Sequence, residues 1–584
     1  VRTLSAALVD AANGTEGVRF VDRNETSIYL PYGAIFRRAQ GVAAALQEKG
    51  VRAGDVVAIV LPTSAEFYDA FFGAILLGAV PVALYPPLRL GRLQEYHVQT
   101  AHCLQVCAAS IVLTNSNVLR LLGQAIEAAR PIRGCLCVEH IAAQNFDAAL
   151  GALDEVAFLQ FSSGTTSAPK AVALTHRQVA ANMTAIASRI YREAPLPPGV
   201  ARHTAVSWLP LYHDMGLVGC MLTAMYEQTT LTLIPPEHFV TKPSIWLRTI
   251  ARYRATVSAA PNFAYSLCAE RITPAQMEGV DLATWQVALN GAEAVEMATI
   301  QNFTQRFAAY GFDPKAMTPV YGLAEAALGV TFGSPRTGPR VTHFDPACLE
   351  HVGKAVPKAD GQAFVSVGTP LDGYDVRIVG DSGVEVPVAH KGHIQARGPS
   401  VAYAYARAVA ADGIPLADGW LATGDVGFFW QENLYVVGRH KDLIIIRGRN
   451  IAPHPIEKAV SALDGVRTGC VVAASHRPAG HATEALIVLA ERRTSASPTV
   501  EDTVLIKAIE AAVLACCHIK PHTVYLCAPG TLPRTSSGKL RRQAAVGAFL
   551  KQSLTAPAKV SLWRMGVQMW RSKAALRRAE GPAP

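Results

Sequence analysis

Through its first 330 residues the chain alternates short β-rich runs with helical stretches, which restricts it to helix-covered, largely parallel sheets. The runs DVVAIVLP, PVALYP, SIVLTN, VAFLQF, TAVSWLP, TTLTLIP and QVALNG read as strands, and 65–77, 176–189 and 244–253 as helices. After about residue 360 the texture changes to hairpin-like runs (DVRIVG, HIQARG, NLYVVG) punctuated by Gly and Asp, which indicates an antiparallel or barrel-like part. A basic, polar connector at 438–442 then leads into βαβ-like elements that continue to about residue 550. The expected fold is α/β: a large N-terminal domain (1–438) of several subdomains, with helix-covered sheets and a small barrel-like part. A small α+β C-terminal domain (439–550) and a basic, Trp-containing tail (551–584) follow.

At 584 residues the chain is too long for one core, and at about 100–200 residues per domain it divides into roughly three or four compact units. Its longest apolar run, 70–85, is interrupted by Pro81 and reads as a core helix followed by a core strand rather than a membrane span. Residues 1–10 begin a helix and show no signal-peptide pattern. The 11 cysteines show no zinc spacing, and their odd number and apolar neighbours indicate reduced thiols in a cytoplasmic protein. Of the net charge of +9, the tail from residue 551 carries +6. A nucleic-acid-binding protein would spread its basic residues over a folded domain, so this distribution argues against that class.

The segment 161–170, FSSGTTSAPK, joins two strand-like runs and collects hydroxyls, a glycine and a lysine. Ser162, Ser163, Thr165 and Thr166 offer O–H donors, Gly164 lets backbone amides turn toward a ligand, and Lys170 adds charge. A polyphosphate needs these groups, although the spacing is not that of the common nucleotide loop. By itself the segment reads equally well as a polar hairpin turn.

Six further segments follow in order: TAVSWLPLYHDMGL, ALNGAEAV, VYGLAEAAL, WLATGDVGFF, GRHKDLIIIRGRN and LPRTSSGK. Together with the loop they resemble the adenylate-forming superfamily of acyl-CoA ligases, peptide-synthetase adenylation domains and luciferases, over roughly residues 20–545. The resemblance implies an enzyme that uses ATP and Mg²⁺ to convert a carboxylate into an acyl-adenylate and then passes the acyl group to a thiol. It implies that the hydroxyl loop holds the β- and γ-phosphates, with Thr166 and Glu325 at Mg²⁺. Tyr321, beside Gly322, would stack on adenine, with Asn290, Gly291 and Ala292 on the other side. Asp425 would accept from the ribose hydroxyls, Arg439 would assist near the ribose or phosphate, and Lys539 would reach the α-phosphate from a mobile C-terminal domain that pivots at Lys441. His213 would lie near the acyl pocket, or would simply cap the helix beginning at Asp214.

Within the superfamily, SWLPLYHDMGL, Ala324 in YGLAEA and RGRN at 447–450 are similar to the fatty acyl-AMP ligases, which hand fatty acids to acyl carrier proteins. Over forty residues separate Glu325 from Gly368, and the stretch at about 336–367 looks like the insertion that this branch associates with restricted domain movement and poor use of coenzyme A. A fatty acyl-CoA ligase and an inactive nucleotide-binding scaffold are the alternatives. The chain departs from the superfamily at Ser167 and Ala171, where glycine is usual; a Cβ there would matter if the backbone required positive φ. Met221 and Met225 are candidates for the acyl pocket or for plain core. In the tail, Val560, Trp563, Val567 and Trp570 form an imperfect stripe that suits a membrane interface, an acidic carrier protein or a solubilising tail.

Overall fold

The computed structural model describes residues 1–579 except 88–89, 163–169, 406–413, 415, 447–448, 478–483, 494–500, 536–538 and 559–560. Two mixed sheets dominate the first 330 residues. In the seven-stranded sheet Val56–Val60 lies between Val80–Leu84 and Ile111–Thr114, all parallel, and the antiparallel pair Val156–Phe161 and Ala171–Thr175 continues it outward. In the nine-stranded sheet Val257–Pro261, Val287–Gly291 and Met317–Gly322 run parallel at the centre. The strands are Val/Ile/Leu/Ala-rich because helices cover both faces, so the alternation of a half-exposed sheet is absent. One continuous core joins the two sheets, and the expected run at 70–85 is indeed the end of helix Ala65–Leu76 followed by strand Val80–Leu84. Helix Leu4–Ala12 begins as the sequence indicates, with Thr3 as its N-cap.

The hairpin-like runs after residue 360 form a five-stranded antiparallel sheet in which Gly392–Arg397 pairs with Trp420–Trp430, and Trp420–Trp430 pairs with Asn433–Arg439. The stretch 336–367 is itself structured. Val341–Phe344 pairs with Gln362–Val365, and the turn Cys348–Val352 connects them. Phe344 is fully buried against Phe364, Phe428 and Tyr435, so the stretch is packed onto the antiparallel sheet. Its turn also lies against Arg449–Ile451 of the C-terminal unit.

That unit has its own core around strands Val466–His476, Ala485–Arg492 and Thr523–Cys527. Beyond it, Leu562–Ala579 is a helix docked on helix Ser116–Ala129 of the first sheet's subdomain. The face that docks is not the Trp stripe. Ser572 and Ala575 are buried and Leu576 and Ala579 pack on the core, whereas Trp563 and Trp570 are 77% and 70% exposed. The absence of a side chain at Gly123 lets the tail helix approach closely: a Cβ there would stand 2.1 Å from the Ser572 carbonyl oxygen. Among the described residues no disulfide forms; most cysteines are buried and Cys516 is exposed. Among the described residues no helix is long and apolar enough to cross a membrane.

Truncating a fully buried aromatic costs about 3–5 kcal/mol. Phe344→Ala is therefore expected to lower the midpoint of urea unfolding of the large unit, and an unchanged midpoint would show the 336–367 stretch to be energetically separate from the antiparallel sheet.

Candidate active site

The carboxyl ends of parallel strands, where open α/β sheets place their ligands, bring several motif residues together. Val287–Gly291 ends at Ala292, which takes a left-handed backbone at φ 65° that few non-glycine residues adopt. The neighbouring strand Met317–Gly322 ends in Tyr321 and Gly322. A Cβ on Gly322 would lie 1.8 Å from the Leu328 carbonyl oxygen, so glycine is required where the chain folds back on itself.

That fold-back presents Glu325. Ala324–Ala326 is a single 3₁₀ turn, and Ala327 follows at φ 63° and ψ −49°, the centre of a strained γ-turn closed by the Leu328 amide donating to the Ala326 carbonyl at 2.8 Å. The surroundings hold this backbone in place. The Ala402 amide donates to the Glu325 carbonyl (2.8 Å), Ser400 Oγ donates to the Ala326 carbonyl (2.6 Å), and the buried Asn182 amide group exchanges hydrogen bonds with both backbone groups of Gly329.

Opposite lie two partners from the antiparallel sheet. Asp425 and Arg439 are cross-strand neighbours, with Arg439 Nε 3.3 Å from Asp425 Oδ1. The Tyr321 hydroxyl donates to Asp425 Oδ2 at 2.7 Å. Tyr321 is thus oriented by its phenol group.

Lys539 enters from the C-terminal unit. The carboxylates of Asp214, Glu293 and Asp425 all act on its ammonium group, as does the Arg439 guanidinium. Burial pushes the lysine below its ordinary range, and the carboxylates only partly oppose this. Asp425 and Glu325 are pushed above the carboxylate range, first by burial, while Arg439 pulls both back. At Glu325, Asp214 and Asp425 add like-charge repulsion. Burial also raises Asp214, but His213, at 2.6 Å through Nδ1, and Lys539 outweigh that and leave it low. Tyr321, Glu325, His213, Asp214 and Lys539 each keep some solvent access within this enclosure, so they line a cleft rather than fill a core.

Two residues here escaped the sequence reading. Asp214 and Glu293 lie inside quoted segments, but nothing in their spacing shows that they face a lysine about 250–330 positions later. His213 stands at the N-cap position but makes no capping hydrogen bond, so its imidazole serves Asp214 instead. Asn290 is fully buried and donates to Asn262 Oδ1, which makes it a support beneath Gly291 rather than a group in the cleft. Met221 and Met225 are fully buried in the main core.

Ser163, Gly164, Thr165, Thr166 and Ser167 lie outside the described residues. The base of their loop is described: the Ser162 amide donates to the Lys170 carbonyl at 2.9 Å, and the Lys170 ammonium sits 4.7 Å from the centre of the Tyr405 ring. Ala171 pairs with Phe161 in a regular strand, so its Cβ meets no backbone demand for glycine.

Among the described residues no group of three or more His, Cys, Asp or Glu converges to hold a metal ion; Glu325 offers a single carboxylate, the oxygen donor type that a hard divalent cation takes, within the field of Asp214 and Asp425.

A family model described as AMP-binding enzyme matches residues 9–406. A Caulobacter vibrioides protein provisionally named an acyl-CoA synthetase is 33% identical over 94% of this chain and 95% of its own length. The 4-hydroxyphenylalkanoate adenylyltransferase of Mycobacterium tuberculosis is 31% identical over 85% of this chain and 82% of its own. Among solved structures, one from a study of fatty acyl-adenylate ligases of E. coli and L. pneumophila superposes with a TM-score of 0.86 at 34% identity, covering 94% of this chain and 98% of its own. The chain belongs to the AMP-binding enzymes, the adenylate-forming superfamily that its ordered segments resemble.

The shifts fix the sign of the pH dependence of the free enzyme. If Asp425 and Glu325 act as carboxylates and Lys539 as an ammonium group, burial delays ionisation of the two acids as pH rises and discharges the lysine early. The profile of kcat/KM for ATP in pyrophosphate exchange is therefore expected to be a bell, with its acid limb above the ordinary carboxylate range and its alkaline limb below the ordinary lysine range. A plateau that extends to the unperturbed values at both ends contradicts this electrostatic assignment.

Proposed function

We propose that the protein activates a fatty acid as its acyl-adenylate, with release of pyrophosphate, and transfers the acyl group to the phosphopantetheine thiol of an acyl carrier protein. The observation that carries this reading is the presence of Lys539, from one unit, inside the cleft that Tyr321, Glu325 and Asp425 form in the other. It is strengthened by the relatives, among them a Legionella pneumophila fatty acyl-adenylate ligase described in complex with acyl adenylate and pyrophosphate, which is 27% identical with a TM-score of 0.69 over 94% of this chain and 96% of its own.

In the first step a fatty carboxylate oxygen attacks the α-phosphorus of ATP, and the bond to the bridging oxygen of pyrophosphate breaks. Two anions meet, so the barrier is electrostatic, and a preorganised cation contributes most where charge develops. Lys539 supplies that charge at the α-phosphate. Tyr321 offers its ring to adenine while its hydroxyl orients Asp425, whose carboxylate accepts from the ribose hydroxyls. Arg439 opposes the rise that burial imposes on Asp425. Mg²⁺, held by Glu325 and Thr166, would neutralise the phosphate oxygens. In the second step the thiol sulfur attacks the acyl carbonyl, AMP leaves, and the thiol proton is released.

Preference for a carrier protein over coenzyme A rests on the 336–367 stretch, which is packed against the antiparallel sheet while its turn abuts Arg449–Ile451. A C-terminal unit with such a neighbour would reorganise less freely around a small thiol. The outward face of the tail helix, with Trp563 and Trp570 beside Arg564, Arg571 and Lys573, suits an anionic membrane surface where fatty acids partition.

Removing a single preorganised charge-stabilising group costs about 100- to 1,000-fold in rate. Lys539→Ala is therefore expected to reduce fatty-acid-dependent pyrophosphate exchange by that much while ATP binding by calorimetry persists; unchanged exchange would refute its role. With the intact enzyme, mass spectrometry is expected to find acyl-carrier product and little acyl-CoA, and rapid acyl-CoA formation overturns the carrier assignment.

A further inference from the structure

The tail lies outside the resemblance, yet it makes a built contact. Ser572 Oγ accepts the Gly123 amide at 2.8 Å and donates to the Leu119 carbonyl at 3.3 Å, so one hydroxyl bridges the two groups that an α-helix pairs i to i−4. A Cβ on Gly123 would stand 2.1 Å from the Ser572 carbonyl oxygen, a backbone atom that cannot rotate away. Arg578 pairs with Glu127 at the far end of the same helix contact.

Between the C-terminal unit and this helix the chain is held a second time. Arg92 Nη2 donates to the carbonyls of Gly530 (2.7 Å), Thr531 (2.9 Å) and Thr555 (3.2 Å), and the Ala558 amide donates to the Gly91 carbonyl at 3.1 Å. One guanidinium nitrogen of the large unit thus gathers two carbonyls of the small unit and one of the connector. A third contact across the interface is the ion pair of Glu296 with His454 (2.9 Å) and Lys458 (3.2 Å). All of this occurs with Lys539 in the cleft.

We propose that residues 551–558 and the helix Leu562–Ala579 form a strap that biases the small unit toward the adenylate-forming position, with the Gly123–Ser572 contact as its anchor and Arg92 as its clasp. The inference rests on the reading that the small unit moves between the two half-reactions. The connector from Leu550 to Leu562, fully extended, spans at most about 40 Å. The small unit can therefore swing with the helix still docked, but only after 555–558 peel away from Gly91 and Arg92. The strap is a brake and not a lock: it sets the population of the adenylate-forming arrangement and thereby slows acyl transfer relative to adenylation.

Two variants outside the cleft test this in the full-length chain. Gly123→Val expels Ser572 and undocks the helix, and Arg92→Ala removes the clasp. The readout is carbodiimide cross-linking of Lys458 to Glu296, quantified by peptide mass spectrometry and normalised to the Lys242–Glu25 pair, which lies within the large unit at 2.6 Å. This needs no substrate and no turnover, so it stands even if the proposed reaction fails. Each variant is expected to lower the normalised yield about threefold or more, as a shift in population requires. Pyrophosphate exchange should fall by no more than the cross-linking yield does, while single-turnover acyl transfer quickens. Hydrogen exchange across Leu562–Ala579 reports undocking. An undocked helix with unchanged cross-linking overturns the proposal, as does a helix that remains protected in Gly123→Val; if that variant does not fold, unchanged cross-linking in Arg92→Ala overturns it alone.

Discussion

One ammonium group defines the site: Lys539, drawn from the C-terminal unit into a cleft where Asp214, Glu293 and Asp425 face it. The cleft carries an excess of carboxylates, and burial makes each of them costly to ionise. Burial destabilises Glu325 and Asp425 as anions; Arg439 offsets part of that cost at both, and Lys539 at Asp425. The lysine in turn is destabilised by its own desolvation, so neither side is relaxed. A site in which both signs are held under strain can gain from a ligand that brings a polyphosphate and a divalent cation together, because each then meets its missing partner.

This electrostatic arrangement depends on rigid backbone. Asp425 and Arg439 occupy paired positions in one ladder, and a register slip of one residue would turn both to the other face. Glu325 stands on a turn whose strain at Ala327 persists only because Asn182, Ser400 and Ala402 fix the flanking groups. The described part of the cleft is therefore preorganised on the large unit, and Lys539 is brought to it from the small one.

Much of this was legible in the sequence for a physical reason. The strand runs are near-continuous apolar stretches bounded by turn residues, and such runs have few other ways to be satisfied than in a buried sheet. Tyr321, Asp425 and Lys539 were legible through the order of the segments that contain them, since each alone has an ordinary structural explanation. Asp214 and Glu293 were not, because their importance comes from facing Lys539 across a tertiary gap that no local pattern encodes. Asn290 shows the reverse: it belongs to a recognisable segment, yet its side chain points into the core. The tail was misleading for a similar reason. The eye follows its tryptophans, whereas the docking face is formed by Ser572, Ala575, Leu576 and Ala579, with Ser572 set against Gly123.

Two structures then act on the small unit from opposite sides. The packed 336–367 stretch meets it through Arg449–Ile451, and the tail holds it through Gly530, Thr531 and Thr555. Arg542 binds both Asp442 and Glu457, so the segment that leaves the large unit is tied to the body of the small one. A contact biases which arrangement is populated by the free energy it contributes there, wherever it lies, so a clasp remote from the cleft acts as directly as one beside it. That is why a single arginine at position 92, remote in sequence from every segment that carries the chemistry, can influence which half-reaction the enzyme favours.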